Sequence, residues 1–265
     1  MPVPHGSPGS LTLDPALRAD AEQAVRALRA SGEVHVWWWA LPARTDPDDL
    51  ALLNTAEYER ALRFHAERDA AGFVRAHASA RRALAGLLGV PAAEVDLGRR
   101  VCPGCGDGSH GPPSVLRPAV PLAVSLSRTD GLGVLAVRAG TRVGVDVEAR
   151  RDVRADTLAE LVLSESERRV LAGLAPGPDR DAAFHRCWTR KEAVVKAVGV
   201  GLIGTELTAL EVHMEDDGPV AVSHSHQGVN TLWSVSDLDV GAGYTAALAR
   251  PDRSATGPVV LHPPV

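Results

Sequence analysis

At 265 residues with a formal charge of −5 at neutral pH, the chain is long enough for one large domain or two small ones, and it lacks the positive excess of a nucleic-acid or anionic-membrane binder. Leu, Ala and Val supply most of the apolar content, as in a soluble globular protein, and no apolar run approaches the length of a membrane span. Three cysteines, an odd number, give no disulfide framework, and the opening MPVPHGSPGS has neither a basic nor an apolar leader region, so a cytoplasmic location is expected.

Residues 1–10 are rich in Pro, Gly and Ser and read as disordered. A helical period over 13–30, with Asp14 and Pro15 suited to a helix start, predicts an extra packing helix. Residues 34–41 (VHVWWWAL) read as a strand whose three consecutive tryptophans require cover on both faces, which points to core packing and away from a base-stacking platform. From 46 to 88 the pattern is helical in at least two segments, with starts at Asp46-Pro47 and Asn54-Thr55. Arg60, Arg63, Arg68, Arg75, Arg81 and Arg82 make this region basic, and a solvated face is the ordinary explanation for such arginines. Cys102-Pro103-Gly104-Cys105 followed by His110 resembles half of a zinc site, but a fourth ligand is missing and a tight glycine-rich loop is the better reading. Residues 120–126 read as a strand running into Ser127-Arg128-Thr129-Asp130-Gly131, whose hydroxyls and amides suit phosphate or, more plainly, an Asp-Gly hairpin.

The strand expected over 133–138 is followed by a turn and a second strand over 143–148. Alternation puts Asp146 and Glu148 on one face and Val145 and Val147 on the other. Two carboxylates two positions apart repel unless solvent or a cation separates them, and Mg²⁺ takes a few carboxylate oxygens while leaving room for water and phosphate. Residues 156–174 read as helical with a second start at Ser164, where Glu167 completes a capping box. Residues 184–202 (FHRCWTRKEAVVKAVGVGL) read as a helix with an apolar stripe of Phe184, Cys187, Trp188, Val194, Val195 and Val198, stopped by Gly199 and Gly201. Glu192 lies on the stripe's edge and Lys196 one turn beyond; alone, they are an ordinary surface pair. Set beside Asp146 and Glu148, Glu192 becomes a third ligand of an open Mg²⁺ site for phosphate chemistry. Lys191 projects into the middle of the stripe and must snorkel or find an acidic partner. Strands are expected over 205–212, 220–223, 231–235 and 244–249, and the residues from 251 read as a flexible tail. Strand and helix thus alternate twice with similar content, which predicts an α+β protein of two lobes, each a small antiparallel sheet packed on helices: 34–141 and 142–250, preceded by an extra segment over 1–33 and followed by a tail over 251–265.

GVDVE followed by WTRKEAVVKAVGVGL resembles the paired signature motifs of the 4′-phosphopantetheinyl transferase superfamily, in its longer, monomeric Sfp-type form. The resemblance runs from about 34 to about 248 and takes in VHVWWWAL, CPGCG…SHG and SLSRTDG. It implies a pseudo-two-fold fold with its active site between the lobes, and transfer of the 4′-phosphopantetheine group of coenzyme A to a serine of an apo acyl or peptidyl carrier protein, releasing 3′,5′-adenosine bisphosphate. Carrier proteins of polyketide or nonribosomal peptide assembly are the expected partners. On this resemblance Asp146, Glu148 and Glu192 hold Mg²⁺, Glu192 takes the serine proton, Lys196 serves the leaving phosphate, and Arg60, Ser127, Arg128, Asp146 and Lys196 contact the coenzyme. Family members often carry CPxCG…HG as a loop leading toward the coenzyme. Two positions depart from the family: Arg128 stands where a His usually meets the 3′-phosphate, and Pro112 where many relatives have a basic residue, a loss that Arg117 could make good. These departures leave a non-catalytic relative that only binds coenzyme A or a carrier protein as the alternative.

Overall fold

The computed structural model describes residues 13–108, 110–140, 142–151, 155–226, 228–252 and 257–264. In chain order the elements are α1 (Pro15–Ser31), β1 (Val34–Ala40), α2 (Pro47–Leu50), α3 (Thr55–Ala61), α4 (Glu67–Leu88), β2 (Asp96–Arg99), β3 (Pro113–Arg117), β4 (Leu122–Thr129), β5 (Leu132–Ala139), β6 (Gly144–Ala149), α5 (Ala155–Val162), α6 (Glu165–Ala172), α7 (Pro178–Val198), β7 (Val220–His226), β8 (Val229–Leu238), β9 (Tyr244–Pro251) and β10 (Val259–His262). Two four-stranded sheets, ordered β10-β1-β5-β4 and β6-β9-β8-β7, are accompanied by the small β2-β3 hairpin. This is the α+β architecture expected, and no helix among the described residues is long and apolar enough to cross a membrane.

The layers follow from alternation along the strands. On β1 and β5, Trp37, Leu135, Val137 and Ala139 face α1 and α4. Val34, Val36, Val134 and Ala136 face the other way, onto Val145, Val147, Ala246 and Leu248 of the second sheet. The three tryptophans divide accordingly, Trp37 and Trp39 toward the helices and Trp38 toward the second sheet. Ala247 and Ala249 point to the far side of the second sheet, where α7 packs with Phe184, Cys187, Val194, Val195 and Val198. Val145 and Val147 are almost fully buried, and burying each contributes roughly 1.5–3 kcal/mol.

Three expectations change. The segment over 205–212 is not a strand but loop with a short 3₁₀ turn at Leu207–Ala209, because the carbonyls of Leu207 and Leu210 turn inward to accept from Lys191 Nζ at 2.8 and 2.6 Å. The tail read as flexible from 251 instead supplies β10, which pairs parallel with β1 and stacks His262 on Trp37 at 4.3 Å between ring centroids. That pairing also means that the sheet β10-β1-β5-β4, expected to be antiparallel, is mixed. The disorder expected for 1–10 falls outside the described residues.

Candidate active site at the seam between the sheets

β4 and β6 are the edge strands that the two sheets turn toward each other. Ser125, Ser127 and Thr129 share one face of β4, and their hydroxyls reach β6. Val145 N–H donates to Ser125 Oγ at 3.0 Å, Ala149 N–H donates to Thr129 Oγ1 at 3.1 Å, and Ser127 Oγ donates to Asp146 Oδ1 at 2.8 Å. Edge amides that would otherwise lack a partner are thereby satisfied, and β6 is held in register beside β4. On its other side β6 lies against α7 so closely that a Cβ on Gly144 would stand 1.9 Å from Ala193 O. The absent side chain is what lets Asp146 and Glu148 meet the side chains of α7.

The predicted acidic set does converge. Asp146 is buried, and its Oδ1 accepts from Lys196 Nζ at 2.5 Å, while Lys196 also donates to Ser127 Oγ at 2.8 Å. Glu148 accepts from Trp188 Nε1 and from Thr129 Oγ1, both at 3.2 Å. Glu192 is buried, and its Oε1, like Asp146 Oδ2, has no hydrogen-bond partner. Burial, with Asp146 and Glu148 beside it and only Lys196 opposing, pushes the Glu192 carboxyl up to about 7. Two buried, unpartnered carboxylate oxygens beside a third carboxylate fit a hard divalent cation. The donor atoms of the three carboxylates do not all lie within 4.8 Å of one another, and Lys196 offsets part of their charge.

A cavity of about 750 Å³ opens beside this cluster, with Ser127, Glu192 and Lys196 on its wall together with Arg60, Arg99 and Arg128. Arg60 lies over the Phe73 ring and Arg128 over Phe64, each 5.3 Å from the ring centroid, and the two rings touch at 5.4 Å. Burial lowers the Arg128 pKa, and nearby Asp69 opposes while Arg60 adds to that effect, which marks the two guanidinium groups as electrostatic neighbours.

Other arginines belong to the scaffold. Arg81 is buried and bridges Glu57 at 2.6 Å, and Arg75 and Arg82 both meet buried Asp49 at 2.6 Å. Arg117, expected to make good the loss at Pro112, instead holds the turn over 92–94 through the carbonyls of Glu94 and Ala93. Arg99 was missed; it reaches the cavity from β2 and donates to Gly111 O at 2.8 Å. Lys191 is fully buried and pairs with Glu167 at 2.6 Å, so the capping-box glutamate has a second task. Pro112 packs on Gly199, the helix cap of α7.

A profile of the 4′-phosphopantetheinyl transferase superfamily matches residues 142–249, the span that carries β6 and α7. Over 226 residues, 83% of this chain, the sequence is 29% identical to the 4′-phosphopantetheinyl transferase HetI of Nostoc, 88% of whose length is covered. The chain is thus similar to members of this superfamily. The chain is also 33% identical over 173 residues to the L-aminoadipate-semialdehyde dehydrogenase-phosphopantetheinyl transferase of Eremothecium gossypii, 60% of each chain being covered. The crystal structure of Thermotoga maritima holo-[acyl-carrier-protein] synthase matches with 26% identity, covering 41% of this chain and 61% of the other, at a TM-score of 0.28.

Proposed function

We propose that the cleft transfers the 4′-phosphopantetheine arm of coenzyme A to a serine of an apo acyl or peptidyl carrier protein, releasing 3′,5′-adenosine bisphosphate. The convergence of Asp146, Glu148, Glu192 and Lys196 beside a cavity that also carries three arginines supports this reading. In the proposed step the serine oxygen bonds to the phosphorus that bears the pantetheine arm, the bond from that phosphorus to the bridging oxygen breaks, and Glu192 accepts the serine proton. Glu192 stands on the cavity wall, where it can reach a serine brought to the cleft. Lys196 stands where it can leave Asp146 for the departing phosphate, and Arg60 and Arg128 hold the coenzyme's outer phosphates against their aromatic supports. Arg99 supplies the positive charge that Pro112 does not. Mg²⁺ held by Asp146, Glu148 and Glu192 would neutralise charge on the pyrophosphate.

The enzyme is proposed to act as a monomer in the cytoplasm, with carrier domains of polyketide or nonribosomal peptide assembly as its substrates. Intact-mass measurement of apo carrier proteins incubated with enzyme, coenzyme A and Mg²⁺ tests the reading. The expected result is a gain of one phosphopantetheine, absent when Asp146→Ala replaces the wild type. No gain on any fatty-acid, polyketide or peptide carrier would sink it, and free phosphopantetheine released without a carrier would indicate a hydrolase.

A further inference from the structure

The loop between β2 and β3 is closed by its own backbone: Arg100 N–H donates to Pro112 O at 2.9 Å, Cys102 N–H to Asp107 O at 2.8 Å, and Gly106 N–H to Cys102 O at 2.9 Å. The tight Cys-x-x-Cys-Gly turn that results has Gly106 at φ +79°, a left-handed position suited to glycine. Within it the sulfur of buried Cys102 accepts from the backbone N–H groups of Cys105 and Gly104. Cys105 Sγ lies 3.1 Å from His110 Nε2. The ligand atoms of Cys102, Cys105 and His110 all fall within 4.8 Å of one another, the sole group of its kind among the described residues. The other ring nitrogen of His110, Nδ1, stands 3.7 Å from Asp107 Oδ2, beyond hydrogen-bond distance.

We infer that Cys102, Cys105 and His110 form a zinc site, separate from the carboxylate cluster and with its fourth position left to solvent. Two sulfurs and one imidazole are a borderline-soft donor set that selects Zn²⁺ over Mg²⁺. Ligands of tetrahedral zinc stand about 3.5–3.8 Å apart, so the Cys105–His110 pair at 3.1 Å opens slightly while the wider separations close by up to about 1 Å. Uptake releases the thiol protons that remain and forms two S–Zn bonds and one N–Zn bond without change of oxidation state. The consequence falls on the cavity: Gly104 packs on Val200, Pro112 packs on Gly199, and His110 and Gly111 line the wall, so the ion would pin the loop of the first lobe against the end of α7. The bland alternative, a glycine-rich loop with two free thiols, predicts no metal.

The full chain, purified under a phosphine reductant without chelator and dialysed against trace Zn²⁺, is expected to retain about one zinc per molecule by mass spectrometry of the metal. Loaded with Co²⁺ instead, it should show sulfur-to-cobalt charge-transfer bands of two thiolates and the intense ligand-field bands of a tetrahedral ion. Cys105 and His110 are exposed, so Cys105→Ser and His110→Ala are tolerated by the fold; each should weaken zinc binding by more than about a hundredfold, and Cys105→Ser should halve the charge-transfer intensity. Zinc retained equally by wild type and Cys105→Ser would overturn the inference, as would cobalt bands lacking thiolate character, which would place the ion on the carboxylates. Finding Cys102 and Cys105 joined as a disulfide in the reduced preparation would overturn it too. None of these readouts depends on transfer activity.

Discussion

Glu192→Gln separates the electrostatics of the site from its shape. In the metal-free protein the Glu192 carboxyl moves from an ordinary 4.5 to about 7, so the folded state binds its proton more tightly than the unfolded chain does. Below about pH 4.5 both states are protonated and the group contributes nothing. As pH rises toward 7 the unfolded chain ionises first and stability falls, and above 7 the folded protein carries the whole cost, about 3 kcal/mol. Glutamine keeps the volume and cannot ionise, so that cost should disappear: variant and wild type should be about equally stable near pH 5, and the variant more stable by up to about 3 kcal/mol near pH 8. Urea denaturation in chelator at several pH values reads the difference, and other titrating groups cancel between the two proteins. Millimolar Mg²⁺ should restore wild-type stability at pH 8 and do less for the variant. The chemical step should fall by roughly a hundredfold or more in the variant at any pH. Parallel stability profiles for the two proteins would refute the argument, because a carboxyl that is neither buried nor repelled would have no cost to remove.

Lys196 competes with a cation for Asp146, so Lys196→Ala should tighten Mg²⁺ binding in the absence of coenzyme while weakening coenzyme A, both by calorimetry; looser Mg²⁺ binding would contradict the competition. Arg128→Ala should weaken coenzyme A by roughly 1.5–3 kcal/mol and leave 3′-dephospho-coenzyme A unaffected, and equal losses for the two ligands would move Arg128 away from the 3′-phosphate. Gly144→Ala should destabilise by roughly 2–3 kcal/mol and abolish transfer, since its Cβ must push β6 off Ala193 O; a wild-type melting temperature would show that β6 yields freely. Lys191→Met should cost about 3–5 kcal/mol in urea denaturation by leaving Glu167 buried and unpaired, with Glu167→Gln in the same chain recovering part of it.

Local periodicity carried a long way. Val145 and Val147 alternate with Asp146 and Glu148, and the observed strand keeps that division, apolar pair toward the first sheet and acidic pair toward α7. Ser164 and Glu167 form the capping box their spacing predicts. Periodicity failed where a residue's partner comes from far along the chain. A helical wheel gives Arg81 and Arg60 the same rank, yet one is buried on Glu57 and the other lies at the cavity, because only the three-dimensional position of α3 distinguishes them. Composition misled at the C-terminus, where a Pro-rich stretch looked unstructured and four residues within it add a strand to β1 some 220 positions earlier, as the His35–His262 contact at a separation of 227 makes plain.

The site itself follows a different rule from the fold. Each of its halves is readable as a motif, but neither half is a site: β6 and α7 carry three carboxylates and a lysine, whereas β4 and α3 carry hydroxyls and arginines. What joins them is the row of Ser125, Ser127 and Thr129 on one face of β4, which satisfies the edge amides of β6 and at the same time places Ser127 against Asp146 and Lys196. Read alone, SLSRTDG is a hairpin with polar residues, and its alternation says only that three hydroxyls share a face. Their partners on β6 of the other sheet, about 20 residues on, are two backbone amides and the carboxylates of Asp146 and Glu148. The same bonds that hold the two sheets together therefore set the distance between acid and cation. A change in the hydroxyl row should thus alter stability and chemistry together, whereas a change at Arg60 or Arg128, which stand on aromatic supports at the rim, should alter ligand affinity alone.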